Sequence, residues 1–145
     1  MIDFRQGIYA AARRLRAVPE PAAGELYPGG TWTRKQVLGH LIDSALNNHQ
    51  RFVRAALDGA YEGPGYEQNG WVDLHGYASM PWTAVVEHWR LQNELLIRVV
   101  ENIPASRLGA KCLIGGAPWT LEAIIDDYIR HLNHHVDQIV SGLSG

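Results

Sequence analysis

The histidines near the end of the chain have the spacing of a metal site. Residues 130–139 read RHLNHHVDQI and contain His131, His134 and His135, three of the seven histidines in the sequence. On a helix, residues four positions apart lie one above the other on the same face, with Cβ atoms about 5–6 Å apart. His131 and His135 have this spacing, so their imidazoles could reach one divalent metal ion. The pair alone is weak evidence, because two boundary histidines that hydrogen-bond to neighbours give the same pattern.

The helical pattern around these residues separates the three histidines. At about 100° per residue, the apolar side of the segment consists of Leu121, Ile125, Tyr128, Leu132, Val136 and Ile139. His131 and His135 lie on one shoulder of this apolar side, where a cleft could reach them, whereas His134 projects further outward. Asp127, one turn earlier, and Gln138, just after, could orient the ligand imidazoles from a second layer.

A catalytic metal site needs more than this pair. Such zinc sites usually have three protein ligands and one open position. The remaining histidines are His40, His49, His75 and His88. His49 lies near the centre of the apolar side predicted for residues 33–57, which favours core packing. His40 lies on the far side, where a solvated helix face explains it equally well, so spacing leaves the third ligand open.

Four segments with helical periodicity position these residues. They cover about 2–17, 33–57, 81–101 and 120–141, with Thr33 and Thr120 as N-caps and Gly142 able to end the last. Residues 58–81 form a long connection rich in glycine and aromatic residues, and "KCLI" within residues 104–118 could form a short strand. We therefore predict one all-α domain over residues 1–145, a four-helix bundle with a long crossover between helices 2 and 3.

The composition excludes several classes of protein. The chain has 145 residues, of which 46% are hydrophobic and 19% charged, with a formal net charge of −2. This charge does not favour nucleic acid or an anionic membrane as the main partner. Charged residues interrupt every helical segment, and the N-terminus lacks the apolar run of a secretory signal. The lone Cys112 excludes an intrachain disulfide and is typical of a reducing cytoplasm, so a cytoplasmic protein is expected.

Two stretches of the sequence resemble a known family. "WTRKQVLGHLIDSALNNHQRF" (32–52) is similar to the second helix of the DinB-like superfamily, which contains DNA-damage-inducible proteins and metal-dependent hydrolases. "HLNHHVDQI" resembles the H-x-x-x-H-x-x-Q-I ending of that family, and the segment from "YEQNG" to "VVEHW" resembles its Tyr-rich crossover. The resemblance covers about residues 32–140. The matching positions are Trp32, Thr33, His40, Leu41, Arg51, His131, His135, Gln138 and Ile139.

The resemblance implies a divalent metal (nickel, zinc, iron or manganese) held by His40, His131 and His135. The polar stripe around His40 would then line the metal cleft, with Asn47 and Gln138 in the second layer. Such a centre can lower the pKa of bound water or thiol and polarise a carbonyl. The resemblance thus implies either hydrolysis or the transfer of a low-molecular-weight thiol, as in the bacillithiol and mycothiol enzymes of the superfamily.

The sequence also leads to expectations about a proton acceptor, a substrate lid, an alternative function and the oligomeric state. Asp43 or Asp127 is a possible proton acceptor for a small-molecule substrate. The aromatic residues of segment 58–81, which are Tyr61, Tyr66, Trp71 and Tyr77, either form a lid over the substrate or cover the end of the bundle. The alternative to an enzyme is a metal-binding stress-response or interaction module without turnover. A homodimer is expected from the aliphatic surplus on helices 1 and 3.

Overall fold

Four long helices and a small sheet make up the structure, a computed structural model that describes residues 2–143. The helices are α1 (Phe4–Arg16), α2 (Glu20–Ala23), α3 (Arg34–Asp58), α4 (Gln68–His75), α5 (Trp82–Asn102) and α6 (Leu121–Val140), and the strands are β1 (Ala60–Gly63), β2 (Lys111–Ile114) and β3 (Ala117–Thr120). Single 3₁₀ turns cover Tyr77–Ser79 and Ala105–Arg107. The predicted four-helix bundle with a long crossover is confirmed, and its four helices are α1, α3, α5 and α6.

Local hydrogen bonds explain where the long helices begin and end. The Thr33 hydroxyl accepts from the Gln36 amide while the Gln36 side chain accepts from the Thr33 amide, which is a complete capping box. The Thr120 hydroxyl accepts from the Ala123 amide and starts α6. At the other end of α3, Gly59 adopts a φ of 80°, a left-handed conformation that glycine tolerates. These caps confirm the predicted helix boundaries to within two residues.

Helix α3 is covered by other elements on more sides than a helix at the protein surface would be. It packs against both α5 and α6, while α1 closes the bundle on the other side of the core by contacting the same two helices. Every side chain from 37 to 45 is buried, including the charged Asp43. The polar stripe predicted for α3 is therefore not a solvated face, because α6 and the crossover cover it.

The crossover between α3 and α5 is more regular than the sequence indicated. It contains β1, α4 and the 3₁₀ turn Tyr77–Ser79, while β2 and β3 precede α6. β1 pairs in parallel with β2, and β2 pairs antiparallel with β3. The strand predicted at "KCLI" is confirmed as β2. The four-residue β1 and β3 were not predicted, because strands this short have no recognisable period and depend on pairing partners that are distant in sequence.

No helix among residues 2–143 combines the length and the apolar character that crossing a bilayer requires. Even the 25-residue α3 contains charged residues along its length.

A glycine in α3 lets the crossover approach the helix backbone. A Cβ atom built on Gly39 would lie 2.0 Å from Cδ2 and 2.2 Å from Cγ of Tyr77, so the ring occupies the space that a side chain would need. The Tyr77 hydroxyl then donates to the Asp43 carboxylate at 2.8 Å. Gly39 therefore sets the distance between α3 and the crossover.

We expect Gly39→Ala to destabilise the protein. The clash with the base of the Tyr77 ring should outweigh the helix propensity gained by alanine, which is about 1 kcal/mol, and leave a net loss of about 1–3 kcal/mol. Urea denaturation followed by circular dichroism measures the change. Gly24→Ala is the matched control, because nothing lies within 4 Å of the added methyl group. A Gly39→Ala protein as stable as the wild type would contradict the close approach of Tyr77.

Candidate metal centre

Three imidazoles from two helices converge on one point. The Nε2 atom of His131 lies 3.1 Å from Nε2 of His40 and 3.1 Å from Nε2 of His135. One nitrogen from each ring lies within 4.8 Å of the others. His40 comes from the first half of α3 and is only 1% exposed, whereas the other two come from the second half of α6 and are half-buried. The antiparallel packing of α3 on α6 thus brings together residues about ninety positions apart in sequence.

The arrangement suits a divalent cation. Zinc–imidazole distances are about 2.0–2.1 Å, so two nitrogens on one tetrahedral ion lie roughly 3.3 Å apart. The observed separations of 3.1 Å are close to this value. A cation bound among the three Nε2 atoms would accept one lone pair from each neutral ring. The donor set of three nitrogens therefore fits a metal ion.

Burial keeps these imidazoles in the neutral form that binds metals. Desolvation, followed by the proximity of His135 and His131, lowers the pKa of His40 to about 3. Desolvation, with smaller contributions from His135 and His134, lowers the pKa of His131 to about 4. The pKa of His135 is lowered too, mainly by desolvation, although its hydrogen bond to Gln138 acts in the opposite direction. All three rings therefore offer a lone pair at neutral pH.

A hydrogen bond orients the His135 ring, whereas packing orients the His40 ring. The Nδ1–H of His135 donates to Oε1 of Gln138 at 2.7 Å, which leaves the lone pair of His135 on Nε2, facing the other two rings. His40 has no such partner: among residues 2–143, nothing hydrogen-bonds its buried Nδ1. Packing holds the His40 ring instead, with the Trp32 ring centroid 5.2 Å away. Gln138 thus contacts His135, and its role in orienting a metal ligand stays a prediction.

A cleft of about 200 Å³ adjoins the group of three histidines on the side of His131. His131 is part of its wall, so one of the three rings can be reached from the cleft. The other polar side chains of the wall are Ser44, Asn48 and Arg51 from α3, Tyr66 and Gln68 from the crossover, and Asp127 and Tyr128 from α6. Trp119 of β3 also belongs to the wall and separates the cleft from a second, mostly apolar groove of about 740 Å³.

The two predicted proton acceptors lie in different surroundings. The Asp127 carboxylate is exposed and lies in the cleft wall together with His131. Asp43 is fully buried, and one of its oxygens is bound by the Tyr77 hydroxyl and by Nδ1 of His75 at 2.9 Å. Burial raises the pKa of Asp43 despite these two partners. Asp43 thus joins α3 to the crossover, whereas Asp127 is open to the cleft.

Asn47 and three further histidines lie outside the group formed by His40, His131 and His135. The Asn47 side chain donates to the Asp43 backbone carbonyl, within its own helix, and is not part of the cleft wall. His134 is exposed, as its helical angle indicated. His49 is half-buried and receives a hydrogen bond from Gln92 rather than packing in the core. His75, which had no supporting pattern in the sequence, is the partner of Asp43.

The polar stripe that the resemblance placed at the cleft contributes Ser44 and Arg51 to its wall, and Asn48, which the sequence analysis did not name, joins them. Ser44, Asn48 and Arg51 follow His40 at intervals of four, four and three residues, which places all four on one helix face. This spacing was a usable signal. Tyr66 was predicted only as one of four aromatic residues of a possible lid, and of those four it alone lies in the cleft wall.

Comparison with solved structures finds the same fold. YfiT from Bacillus subtilis, described as a probable metal-dependent hydrolase with an unusual four-helix-bundle topology, superposes with a TM-score of 0.82 at 19% identity, over 94% of this chain and 82% of that protein. The mycothiol-dependent maleylpyruvate isomerase superposes with a TM-score of 0.81 at 14% identity, over 97% of this chain. A histidine-to-alanine mutant of the isomerase gives 0.81 at 16% identity. The chain spans only 59% of the isomerase.

The family comparison covers more of the chain than the motifs did. Among curated proteins, no match is found. The model of the DinB superfamily, however, matches residues 3–139, which adds α1 and the Pro-rich segment after it to the region of resemblance. With the four-helix fold and the convergent histidines, this match assigns the chain: it belongs to the DinB superfamily.

Proposed function

We propose that this protein is a metal-dependent enzyme that binds one divalent ion through His40, His131 and His135 and transfers a low-molecular-weight thiol to a small electrophile. The observation that carries the proposal is the convergence of three neutral imidazole nitrogens, one of which belongs to His131 in the wall of a cleft. Three ligands leave part of the coordination sphere open to a substrate. Imidazole suits nickel, zinc and iron better than manganese, which prefers oxygen ligands.

A divalent ion held by these residues would lower the pKa of a thiol or water bound to it and would polarise a carbonyl. The protein itself supplies a place for the released proton, because the exposed Asp127 carboxylate lies in the same cleft wall as His131. In the transfer, the S–H proton passes to Asp127, a sulfur lone pair forms the new S–C bond, and the leaving group departs with its bonding electrons. Asp43, bound to Tyr77 and His75, maintains the fold around this site.

Two adjoining spaces favour transfer between two substrates over hydrolysis. The cleft beside His131 can hold one substrate, and the larger groove behind Trp119 can hold the apolar body of a second. The structurally similar isomerase is mycothiol-dependent. Hydrolysis is the second candidate reaction, since YfiT is described as a probable metal-dependent hydrolase and a water molecule would also have access to the cleft. A metal-binding module without turnover is the third, and the predicted homodimer stays a prediction.

The metal ligands can be tested by elemental analysis. We expect about one divalent ion per wild-type chain and a large loss of bound metal in His131→Ala, because removal of one of three ligands leaves an incomplete site. His88→Ala is the control: it removes an exposed imidazole on α5 rather than on α3 or α6 and should retain the full metal content. Circular dichroism checks that both variants fold. A folded His131→Ala protein with full occupancy would refute the ligand set.

The role of Gln138 is tested by removal of its acceptor oxygen. We expect Gln138→Leu to weaken metal affinity by about 10–100-fold, since His135 loses the hydrogen bond that fixes its ring and tautomer. Competition with a chelator of known affinity measures the change. Gln138→Glu retains an acceptor and should bind metal nearly as well as the wild type. Equal affinities for the leucine variant and the wild type would exclude this second-layer role.

The reaction is tested with thiols and electrophiles. The metal-loaded protein should consume bacillithiol, mycothiol or glutathione in the presence of chlorodinitrobenzene, and it should lose this activity when the metal is removed. Asp127→Asn should slow the reaction by about 10²–10⁴-fold if Asp127 is the base, while His88→Ala, which removes an exposed imidazole on α5, should leave the rate unchanged. Turnover of esters or amides without thiol would instead support the hydrolase. If neither assay detects turnover by the metal-loaded protein, the non-catalytic metal-binding module would be favoured.

A further inference from the structure

Arg51 is a buried cation without a counter-ion in the described part of the chain. Its side chain belongs to the cleft wall, and the residue is only 8% exposed. Among residues 2–143, no carboxylate lies within ion-pair distance of it, and its hydrogen bond is a long one of 3.3 Å to the Pro64 carbonyl. The other buried arginine, Arg34, binds four backbone carbonyls. Packing therefore does not account for most of the hydrogen-bonding capacity of Arg51.

The Arg51 guanidinium has hydrogen-bonding capacity that the described residues leave unused. The group has five N–H donors in a planar fork and remains charged at any physiological pH. A charge removed from water is costly unless it is paired and hydrogen-bonded. The nitrogens of Arg51 are not among the buried, unpartnered polar atoms of the structure. Because the Arg51 side chain belongs to the cleft wall, an anion in the cleft could pair with the nitrogens that Pro64 does not bind.

Polar side chains of the cleft wall lie between Arg51 and the three histidines. Ser44 and Asn48 lie on the same face of α3 between His40 and Arg51, and the Asn48 amide donates to the carbonyl and hydroxyl oxygens of Ser44. Burial raises the pKa of Tyr66, so its hydroxyl stays protonated beside them. Eleven residues of helix correspond to about 16 Å along the axis, and arginine side chains tilt towards the N-terminal end. A molecule that reaches both ends would be an elongated small one.

We propose that Arg51 binds the carboxylate of the small-molecule substrate and thereby orients the reacting end towards His40, His131 and His135. This inference rests on the proposed metal-dependent function. The guanidinium fork matches a carboxylate in two parallel hydrogen bonds. Asp127, in the part of the wall formed by α6, adds a negative charge that disfavours doubly charged ligands such as phosphate monoesters. The substrate class is thus a monocarboxylate, or a larger acid that presents one carboxylate to the cleft.

The alternative is that Arg51 only fastens the crossover through Pro64. The two roles differ in what they predict for ligands. A structural arginine affects charged and neutral ligands equally, whereas a binding arginine discriminates between them. The acid-to-neutral affinity ratio is therefore the quantity to measure.

The experiment compares mercaptohexanoate with mercaptohexanol, which has the same length and thiol but no charge, and with hexanoate, which lacks the thiol. Dissociation constants come from NMR titrations that follow the indole N–H signals, since Trp119 lies in the cleft wall. We expect the wild type to bind mercaptohexanoate at least about tenfold more tightly than mercaptohexanol. In Arg51→Gln this ratio should fall to about one, and Arg51→Lys, which keeps the charge without the fork, should lie between. The metal content should be unchanged in both variants.

The same titrations separate this proposal from the proposed function. The ratio of acid to alcohol, measured with and without metal, tests Arg51, while the gain of mercaptohexanoate over hexanoate on metal loading tests the metal centre. A wild-type acid-to-alcohol ratio near one overturns the role of Arg51 even if no variant folds. A ratio that persists in a folded Arg51→Gln protein overturns it as well. If metal loading does not strengthen the binding of mercaptohexanoate relative to hexanoate, the metal centre is refuted. If the acid-to-alcohol affinity ratio is nevertheless retained, the carboxylate site of Arg51 stands.

Discussion

The contact between the start of α3 and the end of α6 is the constraint on which the metal centre depends. Arg34 is buried, and its guanidinium donates to the carbonyls of Ile139 and Ser141 at 2.7 and 2.8 Å and to Ala22 and Leu26 in the segment before α3. The last carbonyls of a helix lack partners within it and carry partial negative charge, so a cation there is favourable. Because these bonds fix where α6 ends relative to α3, they also fix how His131 and His135 meet His40.

The centre itself combines two opposing requirements. Ligand imidazoles must be neutral, and burial between packed helices keeps them so by lowering their pKa values. For the proposed function, a substrate would nevertheless have to reach the bound ion, and a site enclosed by four helices would be closed. The cleft resolves this conflict, because its wall combines His131 with residues of the crossover and of the small sheet. Thus the elements that sequence periodicity described least well are those that give access to the site.

The crossover is held in place by polar contacts with α3 as well as by apolar packing. Tyr77 lies against the backbone at Gly39 and donates to Asp43, which also binds His75. These partners compensate in part for the lost hydration of the carboxylate, whose Oδ2 atom has no hydrogen-bond partner among the described residues. The contacts place the crossover over the first half of α3, and Tyr66 reaches the cleft from the same connection. The aromatic residues of this segment therefore divide their roles between covering the bundle and lining the cleft.

The sequence by itself determined the four long helices, their caps at Thr33 and Thr120, and the pairing of His131 with His135, since these depend on contacts only a few residues apart. It also distinguished His134 from its neighbours by helical angle. It left the environment of His40 undecided, because a polar stripe is the same on a solvated face as beside a buried site, and only family likeness selected His40. The sheet, the Asp43–His75 pair and the cleft position of Arg51 required the tertiary structure. Each depends on residues far apart in sequence, and which of them meet is decided by how the helices pack.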